Sequence, residues 1–140
     1  LQQLAQQAQL LCGKKHAVLI IDDTALPKSG DRSVGVAPQY CGVQRRVTNC
    51  QVLVTLTLAD GPVFAPLGMR LFLPQVWTAD PLRCASAGVP AQLRAFATKQ
   101  DLALNELDRV RDAGVTFGVV VADAGYGSSV AFRRGLTQRG

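Results

Sequence analysis

Two short apolar runs in this chain each stop at aspartate. Residues 17–21 read Ala-Val-Leu-Ile-Ile and end at the adjacent carboxylates Asp22 and Asp23; residues 117–122 read Phe-Gly-Val-Val-Val-Ala and end at Asp123. β-Branched and leucine side chains without polar interruption suit strands covered on both faces, as in a parallel or mixed sheet. In an open α/β sheet, ligands and chemistry gather outside the carboxyl ends of such strands. The pattern predicts an α/β fold, and if the two runs are parallel neighbours in its sheet, their terminal acids converge at one edge. Successive strand residues point to opposite faces, so only one of Asp22 and Asp23 can then share a site with Asp123.

The remaining pattern predicts helices packed on that sheet. Residues 1–12 carry apolar side chains at 1, 4, 5, 8, 11 and 12 among glutamines, a helical stripe that Gly13 can stop. Along residues 47–59, Val52, Val54, Leu56 and Leu58 face one way and Leu53, Thr55 and Thr57 the other. Asp60-Gly61 then signals a hairpin turn, with the return strand regular over 69–73 because Pro62, Pro66 and Gly68 interrupt it. Residues 24–42, rich in Gly, Ser, Pro and Lys, read as a long irregular connection of the kind that often carries function. Residues 74–90 read as loop and short turns, with Trp77 closing a core edge rather than stacking on a base. Thr98 opens a helix whose buried stripe is Ala103, Leu104, Leu107 and Val110, with Gly114 at its end. Glu106, Asp108, Arg109, Arg111 and Asp112 form its solvated side. Residues 115–122 predict the second buried strand, and 130–136 a last helix with Phe132 and Leu136 four apart.

At 140 residues and 48% hydrophobic content, the chain can bury one domain-sized core. No apolar run reaches the roughly 18 residues a membrane-crossing helix needs. The chain opens on Leu, in mid-stripe and without a charged n-region, which argues against a signal peptide and for a segment of something longer. Its net charge of +5 favours acidic partners, nucleic acid first. Cys12, Cys41, Cys50 and Cys84 form no C-x-x-C, and His16 cannot complete a zinc set with them. Reduced, partly buried thiols of a cytosolic protein are expected.

Two carboxylates with no neighbouring thiol or imidazole make a hard oxygen site, suited to Mg2+ or Mn2+. Two such ions, roughly 3.5–4 Å apart, can align an in-line attack on a phosphodiester. A helix-capping or turn-forming aspartate at a strand end accounts for the same residues, and spacing alone does not separate the readings. The stretch Gly125-Tyr126-Gly127-Ser128-Ser129 lacks the lysine of a P-loop and the GxSxG elbow, and reads as a flexible turn. Adjacent Asp22 and Asp23 depart from the Asp-x-Asp of haloacid-dehalogenase-type phosphatases. His16 has no evident triad partner and reads as an edge histidine.

The segments IDDTALPKSG, SVGVAPQYCG, TNCQV, RLFLPQVWTADPLR, AGVP, TKQDLAL and VVADAGYG, in this order, resemble bacterial insertion-sequence transposases of the DDE superfamily. The branch is the one whose first motif reads IDDTxxPKxG, and the resemblance runs over about residues 18–126. It implies an α/β, ribonuclease-H-like mixed sheet with flanking helices, incomplete at this length. Residues 1–16 would be the remnant of a preceding helical segment and residues 17–140 a partial catalytic domain. It implies an enzyme that uses Mg2+ (or Mn2+) to cleave transposon-end phosphodiesters and to join the freed 3′ end to target DNA. Such an enzyme works in the bacterial cytoplasm on nucleoid DNA, away from membranes, as a homodimer when complete.

By motif position, Asp23, immediately before Thr24, and Asp123 would be the catalytic and metal-binding acids, with Asp22 pointing away. Lys28, Arg45 and Arg46 are the candidate nucleic-acid contacts. The family's third acid is a glutamate on a later helix. No Asp or Glu follows Asp123, and Glu106 precedes the second strand, in the wrong place. The expectation is a transposase core truncated at both ends and inactive alone, or a non-catalytic remnant that at most binds DNA.

Overall fold

In the computed structural model, which describes residues 2–140, the chain runs in the order α1 (Gln2–Cys12), β1 (Val18–Pro27), β2 (Ala37–Cys41), β3 (Arg46–Asp60) and β4 (Val63–Leu71). Then follow α2 (Gln75–Thr78), α3 (Pro81–Ser86), a 3-10 turn (Ala91–Leu93), α4 (Lys99–Asp112), β5 (Val119–Ala122), α5 (Ala124–Gly127) and α6 (Val130–Thr137). Leu1, the first residue of the predicted N-terminal stripe, lies outside the described residues.

The strands form one mixed sheet in the order β2-β3-β1-β5, with β4 also paired to β3. β2 runs antiparallel to β3, from Ala37↔Cys50 to Cys41↔Arg46. β1 and β5 are parallel, from Val18↔Val119 to Ile21↔Ala122, so the condition under which their terminal acids reach one edge is met. Gly61, at a φ of 57°, makes the turn between β3 and β4, a conformation that an L side chain strains to adopt.

Two units divide the chain. The first takes in the chain up to Asp22, Val54–Arg70 and Lys99–Gly140; the second takes in Asp23–Leu53 and Leu71–Thr98. In the first, Ala5, Ala8 and Cys12 of α1 meet Leu19 and Ile21 of β1, Val54, Leu56 and Leu58 of β3, and Ala103, Leu107 and Val110 of α4. Phe132 of α6 and Tyr126 of α5 close the same cluster. The period-two face of β3 is therefore buried as its alternation predicts. The second unit has a cluster of Val36, Trp77, Cys84 and Val89, and another of Cys41, Cys50 and Val52. Trp77 is buried, and its indole N–H donates to the Val36 carbonyl at 2.8 Å, the core-edge role expected of it. All four cysteines are free and fully buried.

Several elements differ from the sequence expectation, each for a local reason. β1 continues past Asp23 to Pro27, and the connection after it contains β2. The extension is held by the Lys28 N–H donating to Asn49 O, and by the Asn49 amide donating to the carbonyls of Lys28 and Gly30. β4 is regular from Val63, through Pro66 and Gly68. Its one strand neighbour among the described residues is β3, so it is an edge strand, where a proline is tolerated.

Residues 74–90 hold two short helices rather than mostly loop. Asp80 caps α3 by accepting the Arg83 N–H at 2.9 Å, and Pro81 occupies the first turn, where a missing N–H costs nothing. The Gly-Ser stretch after Asp123 is helical too: it forms α5, and Ser129 caps α6 by accepting the Phe132 N–H at 3.2 Å. β5 is shorter than predicted and covered on one face only. Val120 and Ala122 pack into the core, whereas Val119 and Val121 are 54% and 47% exposed.

Candidate functional site

The parallel ladder of β1 and β5 ends at Ile21↔Ala122, and the next residue on each strand is an acid, Asp22 and Asp123. Strand alternation puts Asp22 on the face of Val18 and Ile20, and Asp123 on the face of Val119 and Val121. The register makes these the same face of the first unit. Asp23 falls, by the same alternation, on the side of Leu19 and Ile21, and it is the first residue of the second unit. Asp22 is exposed and Asp23 half-buried. The Asp22 carbonyl accepts the Thr55 hydroxyl at 3.0 Å, which ties this end of β1 to β3.

Asp123 caps the short helix that follows it. Its backbone is extended (φ −71°, ψ 175°), and its Oδ1 accepts the Tyr126 N–H at 3.1 Å, capping α5. The capping role weighed against metal binding is therefore present. One bond to one oxygen still leaves a carboxylate most of its acceptor capacity. Tyr126 packs on Phe132 with ring centroids 5.4 Å apart, which joins α5 to α6. Gln100, in the first turn of α4, donates from its side chain to Gly125 O at 3.1 Å.

The donor set around these strand ends is chemically hard. His16 is engaged with Asp60 at 3.1 Å, and the thiols lie in the core. Among the described residues, no three Asp, Glu, His or Cys side chains group as a metal-binding cluster. Carboxylates alone fit an ion such as Mg2+, which keeps several waters and takes one or two protein carboxylates.

Glu106 corrects a sequence expectation. It is not on a solvated helix face but 3% exposed, the one buried charged residue of the described chain. Its Oε2 accepts Arg109 Nε at 2.8 Å, and Arg70 Nη1 lies 3.4 Å from Oε1. Arg109 Nη2 donates to Leu67 O at 2.8 Å. Gly68 makes room for this group: a Cβ there would meet Glu106 Oε2 at 2.6 Å and Arg109 Nη2 at 2.7 Å. The glycine interrupting β4 was the available signal, since glycine inside a strand often marks a close approach.

The candidate nucleic-acid contacts Lys28, Arg45 and Arg46 are all exposed in the second unit. Arg45 sits at a φ of 51° in the turn between β2 and β3, and Arg46 donates to the Gln44 side chain at 3.3 Å. A further basic face lies on α6, in the unit that holds Asp123. Arg133 and Arg134 are exposed there, without a carboxylate partner among the described residues. The third arginine of that segment, Arg139, is engaged by Asp108 through two bonds of 2.6 Å. Those bonds hold the Asp108 carboxyl below the usual carboxylate range.

A mixed sheet whose parallel β1–β5 pair runs into aspartates, with helices packed on it, is consistent with a ribonuclease-H-like fold. The chain belongs to the DDE superfamily endonucleases, whose family model matches residues 1–140. Enzymes of this superfamily generally use divalent metals, and nucleic acid is the substrate class the family indicates. No curated protein and no solved structure matches the chain. Among the described residues, no helix is long and apolar enough to cross a membrane.

Proposed function

We propose that this chain is the catalytic-core segment of a bacterial insertion-sequence transposase, acting on DNA in the cytoplasm and as a homodimer when complete. In this reading the complete enzyme cleaves phosphodiesters at transposon ends and transfers the freed 3′ end to target DNA. The observation that carries it is the parallel β1–β5 pair whose strands both run into acids. Asp123 and one acid of the Asp22–Asp23 pair would hold the divalent ions. Bound Mg2+ or Mn2+ would supply charge neutralisation at the phosphodiester and an activated attacking oxygen. The protein's part is positional. Thr55 fixes the Asp22 backbone, the Tyr126 N–H holds the Asp123 carboxylate, and Gln100 holds α5 through Gly125, so little reorganisation is needed on loading.

Two arguments divide the acid pair. Motif position assigns the ligand role to Asp23, which we propose as the first acid; strand alternation favours Asp22. Lys28, Arg45 and Arg46 are proposed to contact phosphates. Metal-dependent nicking of plasmid DNA by this segment within its complete enzyme tests the activity. Asp123→Ala and Asp23→Ala are expected to abolish nicking, with Asp22→Ala active; loss in Asp22→Ala alone transfers the role to Asp22.

A second reading has its own observation. Residues 124–140 contain no acid, and Glu106 is engaged by two arginines, so the third carboxylate of the family triad has no counterpart among them. A chain that holds ions poorly would bind DNA without cutting it. Salt-sensitive DNA binding with no nicking in Mg2+ or Mn2+ selects this reading.

A further inference from the structure

The second unit contains a cavity that the strand-end acids do not use. It measures about 560 Å3 and is lined by Asp31, Arg32, Trp77, Arg83, Ser86 and Ala87. That volume lies within the range of small-ligand sites and accommodates a nucleotide. Its lining carries two arginines against one aspartate, a net positive charge.

One wall of the cavity is organised before any ligand arrives. The Arg83 guanidinium lies over the Trp77 ring, 3.9 Å from its centroid. Nη2 of Arg83 donates to the Asp31 carbonyl at 2.8 Å. Trp77 is itself fixed, 1% exposed and bonded to Val36. Stacking on one side and a hydrogen bond at the edge restrain the guanidinium plane, so little side-chain freedom remains to be lost. With the indole on one face, the opposite face is the one left for the cavity.

A guanidinium plane is a platform on which an unstacked nucleobase can lie, whatever the base. The remaining lining supplies what a nucleotide needs around that platform. Arg83 engages the carbonyl of Asp31 rather than its carboxylate, which leaves an acceptor for the amino edge of a base. The Ser86 hydroxyl donates to the Arg83 carbonyl at 3.0 Å and keeps its lone pairs for a ligand donor. Arg32 is exposed and brings a cation for a phosphate. A base within a duplex is stacked and paired and cannot enter.

We propose that this cavity binds one unpaired nucleotide of a single-stranded nucleic acid. The base stacks on Arg83, its amino edge meets Asp31, and its phosphate meets Arg32. The proposal rests on the nucleic-acid reading above and adds to it a single-strand subsite in the second unit.

Trp77 is the only tryptophan of the chain, so its emission reports on the cavity directly. The full chain is titrated with a short single-stranded oligonucleotide and with the same sequence as duplex. A saturable change in Trp77 emission with the single strand is expected, absent with the duplex. Arg83→Lys keeps the charge and removes the plane, and is expected to weaken single-strand binding about tenfold while duplex binding holds. Ser86→Leu places a larger side chain in the cavity while leaving Trp77 and Arg83 themselves unchanged, and is expected to give the same loss with an unchanged melting temperature. Single-strand binding that is indifferent to both variants overturns the proposal, as does binding of duplex alone. Failure to bind either nucleic acid overturns the nucleic-acid reading as well.

Discussion

Ile21 of β1 lies opposite Ala122 of β5 in the parallel ladder, and the residue following each is an aspartate. The ladder therefore delivers two carboxylates to one end of the sheet without any loop having to bring them there. A site on paired strands inherits the rigidity of the strands, which suits chemistry that depends on holding ions and phosphates in line. The rest of the first unit supports this placement: α4 and α6 both contact α5, the short helix that Asp123 caps.

The buried Glu106 is expected to stabilise the fold through Arg109 and Arg70. Removing one partner of a buried pair leaves uncompensated charge, so Glu106→Ala should cost about 3 kcal/mol. Urea unfolding checks this as a lower midpoint at unchanged slope. A loss under about 0.5 kcal/mol would place the pair with ordinary surface ion pairs instead.

Gly68 is coupled to that group. Gly68→Ala should destabilise by about 1–3 kcal/mol, because the added methyl displaces Glu106 and Arg109. In a double-mutant cycle with Glu106→Ala the cost should shrink, since one of the two atoms it meets is gone. Simple additivity would contradict the close approach.

Phe132 anchors α6 and, through Tyr126, the helix that Asp123 caps. Phe132→Ala should cost about 3–5 kcal/mol by calorimetry or denaturant. It should also broaden the amide resonances of α5, since Tyr126 loses its ring partner.

The Asp108–Arg139 fork gives a pH dependence whose sign follows from the depressed carboxyl. The folded-state pKa of Asp108 is lowered, first by the hydrogen bonds from Arg139, so the stabilisation is present above the ordinary carboxylate pKa. It is lost as pH falls through the lowered value. The melting temperature of the native chain should exceed that of Asp108→Asn at neutral pH, with the gap closing in acid. Screening limits its size, because Asp108 is 44% exposed.

The sequence made the strands and their polarity legible because burial left regular marks: alternation in residues 52–58, and unbroken apolar runs before Asp22 and Asp123. Trp77 was legible as a core-edge residue from its size and aromaticity alone. What the sequence hid were arrangements set by distant partners. Glu106 looks like any polar helix residue until Gly68, nearly forty positions earlier, opens a place for it beside β4. The extension of β1 to Pro27 depends on the Asn49 side chain, and the helices over 74–90 on a proline at a helix start being as natural as one in a loop. The choice between Asp22 and Asp23 turns on where the β1–β5 ladder stops, which residue types do not encode.

Binding of Mn2+ to the native chain, followed residue by residue through paramagnetic line broadening, tests the proposed ion site most directly. The account predicts broadening centred on Asp123 and Asp23, weaker at Asp22, and lost in Asp123→Ala while the core resonances stay in place. Broadening that ignores Asp123, or that survives Asp123→Ala unchanged, would contradict it.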